Sequence, residues 1–300
     1  MNGIISVYKE PGYTSFDVVA KLRGIVGQKK IGHTGTLDPD AEGVLVVCLG
    51  NTTKLSEMIT DKDKEYTAEM ILGVTTDTED ASGKVLSEKE VKVSEEEIRS
   101  AVTSFIGESY QVPPMYSALK KDGVRLYELA RKGVEVEREA RRISIYSLDI
   151  ISIDMPKVTF RVTCSKGTYI RSLCRDIGEK LECGAHMKRL IRNRVSGFTT
   201  EDSFTLSRLQ ELKDEGRLSQ AVIPVTKLFP DLPIYRTESD ADRLLYNGNP
   251  LSLKMVTCQG DNTIKNDGDI IFVKDSEDEL KGMYKVDERR HMLAPFKMLL

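Results

Sequence analysis

The segment Gly32-His33-Thr34-Gly35-Thr36-Leu37-Asp38-Pro39-Asp40-Ala41-Glu42-Gly43 sets a short carboxylate in a stretch too polar and too glycine-rich to be core. Its glycines admit backbone angles that other residues resist. Pro39 fixes its own φ and drives Asp38 toward an extended conformation. The segment runs straight into an apolar stretch, 44–49, that reads as a strand. The expected product is a carboxylate held in one pose on a loop that a rigid element carries, a common place for chemistry. With a reference pKa of about 3.9, Asp38 would be ionised at neutral pH and available as a nucleophile or base. The loop alone does not establish chemistry, because Asp-Pro and Gly-rich segments ordinarily mark turns.

Three further features have to be explained with it. Asp63-Lys64-Glu65-Tyr66 begins a strand with an aromatic residue. Cys164-Ser165-Lys166-Gly167-Thr168-Tyr169-Ile170-Arg171 reads as a strand-to-helix junction with exposed donors. Lys188, Arg189, Arg192 and Arg194 form a basic run. Taken singly, each has a bland reading: a strand Tyr is ordinarily core, and a charge run is ordinarily a solvated face.

The elements that must position these residues follow from local pattern. A strand over 3–7 ends at Pro11-Gly12, and Thr14-Ser15 caps a helix over 16–25. A helix is expected near 53–59 and a strand over 66–72. Ser94-x-x-Glu97 is a capping box opening a helix to about Ile106, with Gly107 placed to end it. A short helix is expected over 126–132, and two paired strands over 143–153 and 157–164. Helices are expected over 169–181, from Gly184 to Leu190, and over 206–215. Phe229-Pro230-Asp231-Leu232-Pro233 reads as a linker into a β-rich module with one helix over 240–246. Strands and helices mix without βαβ alternation, so the class is α+β with a largely antiparallel sheet.

Bulk properties narrow the function. Three hundred residues suit one large and one small domain. The five cysteines include no Cys-x-x-Cys pair, and with three histidines a structural zinc site is not expected. Met1 to Val7 lacks a basic stretch followed by a long apolar run, so no signal peptide is expected, and the reading is a soluble cytoplasmic protein with reduced thiols. The net charge of −3 hides an asymmetry: residues 161–200 hold nine Lys/Arg against three Asp/Glu, and residues 119–142 hold eight against five. A basic strip on an acidic body suits a polyanion-binding face. No Gly-x-x-x-x-Gly-Lys-Ser/Thr occurs, which argues against a phosphate-loop enzyme.

Together, Gly32-His33-Thr34-Gly35-Thr36-Leu37-Asp38-Pro39, Pro114-Met115-Tyr116-Ser117-Ala118-Leu119-Lys120 and Ser165-Lys166-Gly167-Thr168-Tyr169-Ile170-Arg171 resemble the TruB family of tRNA pseudouridine-55 synthases, in order and spacing across residues 3–196. Asn247-Gly248-Asn249-Pro250 and Leu293-Ala294-Pro295 resemble the PUA-type RNA-binding domain that follows in that family. The resemblance implies a pseudouridine-synthase fold over 1–230, with a central mixed sheet flanked by helices, and a PUA-like domain over 231–300. It implies Asp38 as catalytic aspartate, Tyr66 as the tyrosine that stacks on the target base and Arg171 as the arginine that pairs with the aspartate. His33, which would help hold the flipped-out substrate loop, and Lys9, Tyr169 and Leu190 match further substrate-pocket positions. The implied reaction turns the T-loop uridine at tRNA position 55 into pseudouridine by base flipping, without metal or cofactor, in a monomer. Arg171 would keep Asp38 ionised, lowering its pKa by ~1–3 units.

Overall fold

A computed structural model describes residues 1–60, 63–264 and 266–300. The strands of the first part are β1 (Gly3–Lys9), β2 (Ile31–His33), β3 (Glu42–Leu49), β4 (Lys64–Leu72), β5 (Val74–Thr76), β6 (Val85–Glu88), β7 (Gly107–Gln111), β8 (Lys120–Lys121), β9 (Val124–Arg125), β10 (Arg141–Asp154), β11 (Lys157–Cys164), β12 (Ala185–Val195) and β13 (Phe198–Thr199). Its helices are α1 (Ser15–Val26), α2 (Ser56–Thr60), α3 (Glu95–Thr103), α4 (Leu126–Arg131), α5 (Ile170–Lys180) and α6 (Leu206–Asp214). A nine-stranded sheet runs β1-β3-β12-β4-β11-β10-β7, with β2 paired to β3 and β13 to β12. Among the described residues only the β3–β12 pairing within it is parallel, so the class is α+β with a mixed, largely antiparallel sheet, as the sequence leads one to expect.

Period-two alternation explains how β1 and β3 can be buried on both faces. Ile5, Val7, Leu45, Val47 and Leu49 pack under α1 and α6 against Val18, Leu22 and Leu209. Ile4, Val44, Val46 and Cys48 face the other way, against Phe272, Met283 and Leu299 of the C-terminal part. A second core joins β4, β11 and β12 to α3 and α5 through Met70, Phe160, Ile98 and Leu173. The predicted capping box of Ser94 with Glu97 forms, and the predicted cap at Thr14 is a second capping box, closed by Asp17.

Three local expectations are corrected. The stretch from Gly184 to Leu190 is not a helix but the first half of β12, hydrogen-bonded to β4 and, near Ile191 and Arg192, to β3. Register shifts at Met187/Arg189 and Arg192/Arg194 break its alternation. The buried residues Met187 and Leu190 therefore stand three apart and imitate helical spacing. Helix α3 ends at Thr103, and Gly107, at φ 110°, opens β7 instead of capping it. Ahead of α2 lies a 3-10 turn over Gly50–Leu55, where the Thr53 hydroxyl donates to the Gly50 carbonyl at 2.8 Å.

Helix α5 lies close on β12 because Gly178 has no side chain; a Cβ there would meet the Ala185 nitrogen at 2.2 Å. Gly178→Ala is expected to destabilise the fold by about 2–3 kcal/mol through overpacking, read from urea unfolding. An unchanged midpoint would show that helix and strand can separate freely.

The C-terminal part contains β14 (Ile234–Thr237), α7 (Ser239–Tyr246), β15 (Leu251–Ser252), β16 (Val256–Gln259), β17 (Ile270–Lys274), β18 (Leu280–Asp287) and β19 (Met292–Met298). These strands form a six-stranded sheet, β15-β19-β18-β17-β14-β16, around Leu245, Ile271, Val273, Tyr284 and Leu293. Among the described residues, no helix is long and apolar enough to cross a membrane.

Candidate active site

The Asp38 loop is a hairpin connection with both ends fixed, since β2 pairs with β3 from Ile31↔Leu49 to His33↔Val47. Its backbone is held from three sides. The Lys9 ammonium, fully buried at the end of β1, donates to the carbonyls of Pro39 (2.8 Å), Ala41 and Glu10 (3.2 Å). The Ser15 hydroxyl donates to the Leu37 carbonyl at 3.1 Å and accepts from the Leu37 N–H at 2.8 Å. The Arg192 guanidinium donates to the Gly35 carbonyl at 3.1 Å and to the Val44 carbonyl at 2.7 Å. Burial lowers the Lys9 pKa to about 8, with Asp40 and Asp38 pulling it back up. Lys9 therefore remains mostly charged at neutral pH, and it holds the Asp38 loop through the Pro39 and Ala41 carbonyls.

So fixed, Asp38 presents its carboxylate to Arg171 in the first turn of α5. Nε lies 3.0 Å from Oδ2, and Nη2 donates to Oδ1 at 3.3 Å. A planar fork sets orientation as well as charge. The same guanidinium donates to the Tyr116 carbonyl at 2.8 Å and to Asp80 Oδ2 and the Thr78 carbonyl, each at 3.3 Å. Asp80 is turned toward Arg171 because its other oxygen accepts from the Thr78 hydroxyl (2.6 Å), the Ser82 hydroxyl (2.6 Å) and the Ser82 N–H (3.0 Å). Glu79, next in the chain, accepts from Ser172 Oγ at 2.6 Å and from Arg175, tying this turn to α5.

Burial pushes the Asp38 carboxyl above the ordinary aspartate value, Arg171 draws it down and Asp80 adds to the rise. The expected lowering is thus reversed in sign. Arg171 is shared between two carboxylates, and its charge does not offset the loss of water around Asp38. The Asp38 side chain nonetheless keeps 37% of its surface open, so a substrate can reach it.

Tyr66 is buried on β4, cross-strand from Arg192, and its phenol is raised by burial with Arg192 opposing. Tyr169 stands at the N-cap of α5, its backbone clamped by Gln111 at 2.8 and 3.1 Å, and its phenol is likewise raised by burial. The Asp38 charge is felt by both phenols. Leu190 on β12 packs in the cluster that holds Leu37 and Tyr66. His33 ends β2; burial and the Arg192 charge lower its pKa, and its Nδ1 is buried with no hydrogen-bond partner among the described residues. The fold thus gathers Lys9, Asp38, Tyr66, Tyr169, Arg171 and Leu190 around the loop, with His33 at its start. Among the described residues no three His, Cys, Asp or Glu side chains are grouped as metal ligands.

Sequence reasoning missed Asp80, the Tyr116 carbonyl and the placement of Arg192. Asp80 lies in a turn far from Arg171 in sequence, with no local signal. Arg192 shares the inward face of Leu190 two residues away, a relation visible only once the segment is read as a strand. The basic strip is also corrected. Arg171 and Arg192 are buried, Arg175 faces Glu79 and Asp176, Arg189 faces Glu42, and Arg161 and Arg194 face Glu65. Part of its charge is thus buried, while Arg161, Arg189 and Arg194 stay paired but open to water.

Comparison with known proteins accords with this geometry. Residues 23–170 match the TruB family pseudouridylate synthase N-terminal domain, and residues 171–229 match the tRNA pseudouridylate synthase B C-terminal domain. A protein of Lachnoclostridium phytofermentans named tRNA pseudouridine synthase B is 50% identical over 308 residues, spanning the whole of both chains. A protein of Clostridium novyi with the same name is 52% identical over 248 residues, 83% of this chain and 84% of that one. Among solved structures, a chain from the crystal structure of a Cbf5-Nop10-Gar1 complex superposes with a TM-score of 0.70 at 29% identity, covering 99% of this chain and 85% of that one. The chain therefore belongs to the TruB family of pseudouridylate synthases.

Proposed function

We propose that this protein converts a uridine of the tRNA T-loop, at position 55, to pseudouridine, with Asp38 as the acting carboxylate and no cofactor. The observation that carries the reading is the Asp38 carboxylate held by the Arg171 fork, partly open to solvent, on a loop whose backbone is fixed by Lys9, Ser15 and Arg192. Conversion breaks N1–C1′, rotates the uracil and joins C5 to C1′; C5 loses a proton and N1 gains one. The reaction is an isomerisation in which nothing is oxidised or transferred in. Asp38 is placed to attack the base or ribose, or to take a C2′ proton. Tyr66 offers a face for stacking and a hydroxyl for proton handling. The target base must leave its stack at a cost of a few kcal/mol, and stacking on an aromatic returns about 1–3 kcal/mol. His33 Nδ1, unpartnered among the described residues, suits a contact to the opened loop. The sheet over 234–298 suits a PUA-like RNA-binding module spanning 231–300, and the reading extends to a monomer acting in the cytoplasm.

The test is incubation of the pure protein with unmodified tRNA, followed by mapping of modified bases. Pseudouridine at one T-loop uridine supports the reading; no new base, or one elsewhere, overturns it. Because Arg171 and Arg192 are buried, phosphate contacts would fall to exposed Lys188 and to Lys120, Lys121, Arg125, Arg131 and Lys132, with the half-open Arg161, Arg189 and Arg194. Affinity for tRNA is then expected to weaken about 10- to 100-fold between about 50 and about 200 mM salt, the response of a few phosphate contacts. A flat response in filter binding would remove these cations from the interface.

A further inference from the structure

Arg192 has no role in the reading above beyond holding the loop, yet its setting calls for one. Its side chain is 2% exposed, and among the described residues no carboxylate lies within ion-pair distance of it. The guanidinium spends its donors on neutral carbonyls: Nε on Val44 at 2.7 Å, Nη2 on Gly35 at 3.1 Å, Nη1 on Thr36 at 3.5 Å. A buried cation compensated by dipoles alone carries a desolvation cost that an apolar side chain of similar volume avoids.

Its backbone position sharpens the question. Arg192 is the cross-strand partner of Gly43 on β3 and of Tyr66 on β4. A Cβ on Gly43 would meet the Arg192 carbonyl oxygen at 2.3 Å, so glycine lets the two strands close up at this point. Cross-strand partners in an antiparallel pair project to the same face, which sets the Arg192 and Tyr66 side chains side by side. One residue thus spans the strand that delivers Asp38 and the strand that delivers Tyr66.

We infer that Arg192 is a positioning residue for catalysis: its buried guanidinium locks the Asp38 loop and the Tyr66 hydroxyl into one fixed relation. The inference rests on the proposed roles of Asp38 and Tyr66. The Arg192 charge also opposes the upward push of burial on the Tyr66 phenol, in line with a group that tunes as well as places it. Lysine cannot reproduce the arrangement, since a single ammonium lacks the planar fork that reaches Val44 and Gly35 together while staying beside the phenol.

The experiment is a double-mutant cycle on tRNA in single turnover, comparing wild type, Arg192→Lys, Tyr66→Phe and the double variant, with tRNA affinity and thermal melting measured on each. Arg192→Lys is expected to slow the single-turnover rate about tenfold or more, the scale on which small displacements of reacting groups act, with tRNA affinity within about threefold of wild type. In the Tyr66→Phe background the cost of Arg192→Lys is expected to shrink to about threefold or less, because the hydroxyl it positions is gone. Costs that multiply in full would overturn the inference, as would tRNA affinity and melting temperature that fall in step with the rate. Should Arg192→Lys not fold, Arg192→Gln, whose amide still donates to one carbonyl, takes its place in the cycle. If neither folds, Arg192 belongs to the scaffold and the inference fails. Asp38→Asn run alongside separates the two levels. Activity retained there sinks the reading of the whole site. An inactive Asp38→Asn with a fully multiplicative cycle sinks only the role of Arg192.

Discussion

Asp38→Asn is expected to lose pseudouridine formation by at least about 10²–10⁴-fold, the range over which a positioned acid–base or nucleophilic group contributes, while tRNA binding stays within a few-fold of wild type. Asparagine keeps the shape of aspartate and can still accept one hydrogen bond from Arg171, so the loop held by Lys9, Ser15 and Arg192 should stay in place. What disappears is the charge, and with it any nucleophile or base at the open edge of the site. Single-turnover conversion of labelled tRNA and filter binding check the two halves separately. If binding collapses with activity, Asp38 is a structural residue. If activity survives, another group does the chemistry and Asp38 is not the acting carboxylate.

Arg171→Lys should show the second largest effect, a rate loss of about 100-fold, because a point charge cannot hold both Asp38 oxygens and a displacement near 1 Å costs that much. It should also move the pH profile, and the sign is fixed by the site. Burial already holds the Asp38 carboxyl above the ordinary value, with Arg171 the main force opposing it. A carboxylate-dependent rate is lost as pH falls through that pKa. Weakening the opposing cation raises the pKa further, so the acid limb of the rate profile must shift to higher pH. In Arg171→Leu, where the cation is absent, the shift should reach about 1–3 units. An acid limb that stays put, or moves to lower pH, would show that the limb does not report Asp38.

How far the site could be read from sequence follows from where each constraint is written. The Asp38 and Arg171 pairing was legible because the resemblance to the TruB family implied it, and the structure places the two side chains in contact. The caps at Thr14 and Ser94 were legible because a helix cap is local, written within four residues. β12 was not, because two register shifts hide a strand behind helical spacing. That misreading took Arg192 with it, leaving it among surface cations when it is one of the most buried side chains in the protein. Asp80 was out of reach for another reason: a turn of Asp77, Thr78, Glu79 and Asp80 looks like ordinary solvated acid until the fold brings Arg171 against it. The direction of the Asp38 shift depends on how much protein surrounds the loop, and no local pattern encodes that.

The rear of β3 has a consequence for how this chain can change. Val44, Val46 and Cys48, on the strand that follows the Asp38 loop, share one buried cluster with Phe272, Met283 and Leu299, all nearly or fully closed to water. Side chains so covered are worth roughly 1.5–3 kcal/mol each. The trailing sheet therefore shares a core with the strand that follows the Asp38 loop. It cannot be exchanged like a cassette: a lineage that grafted on a different tail at residue 230 would first have to repaint the underside of the strand that carries its aspartate.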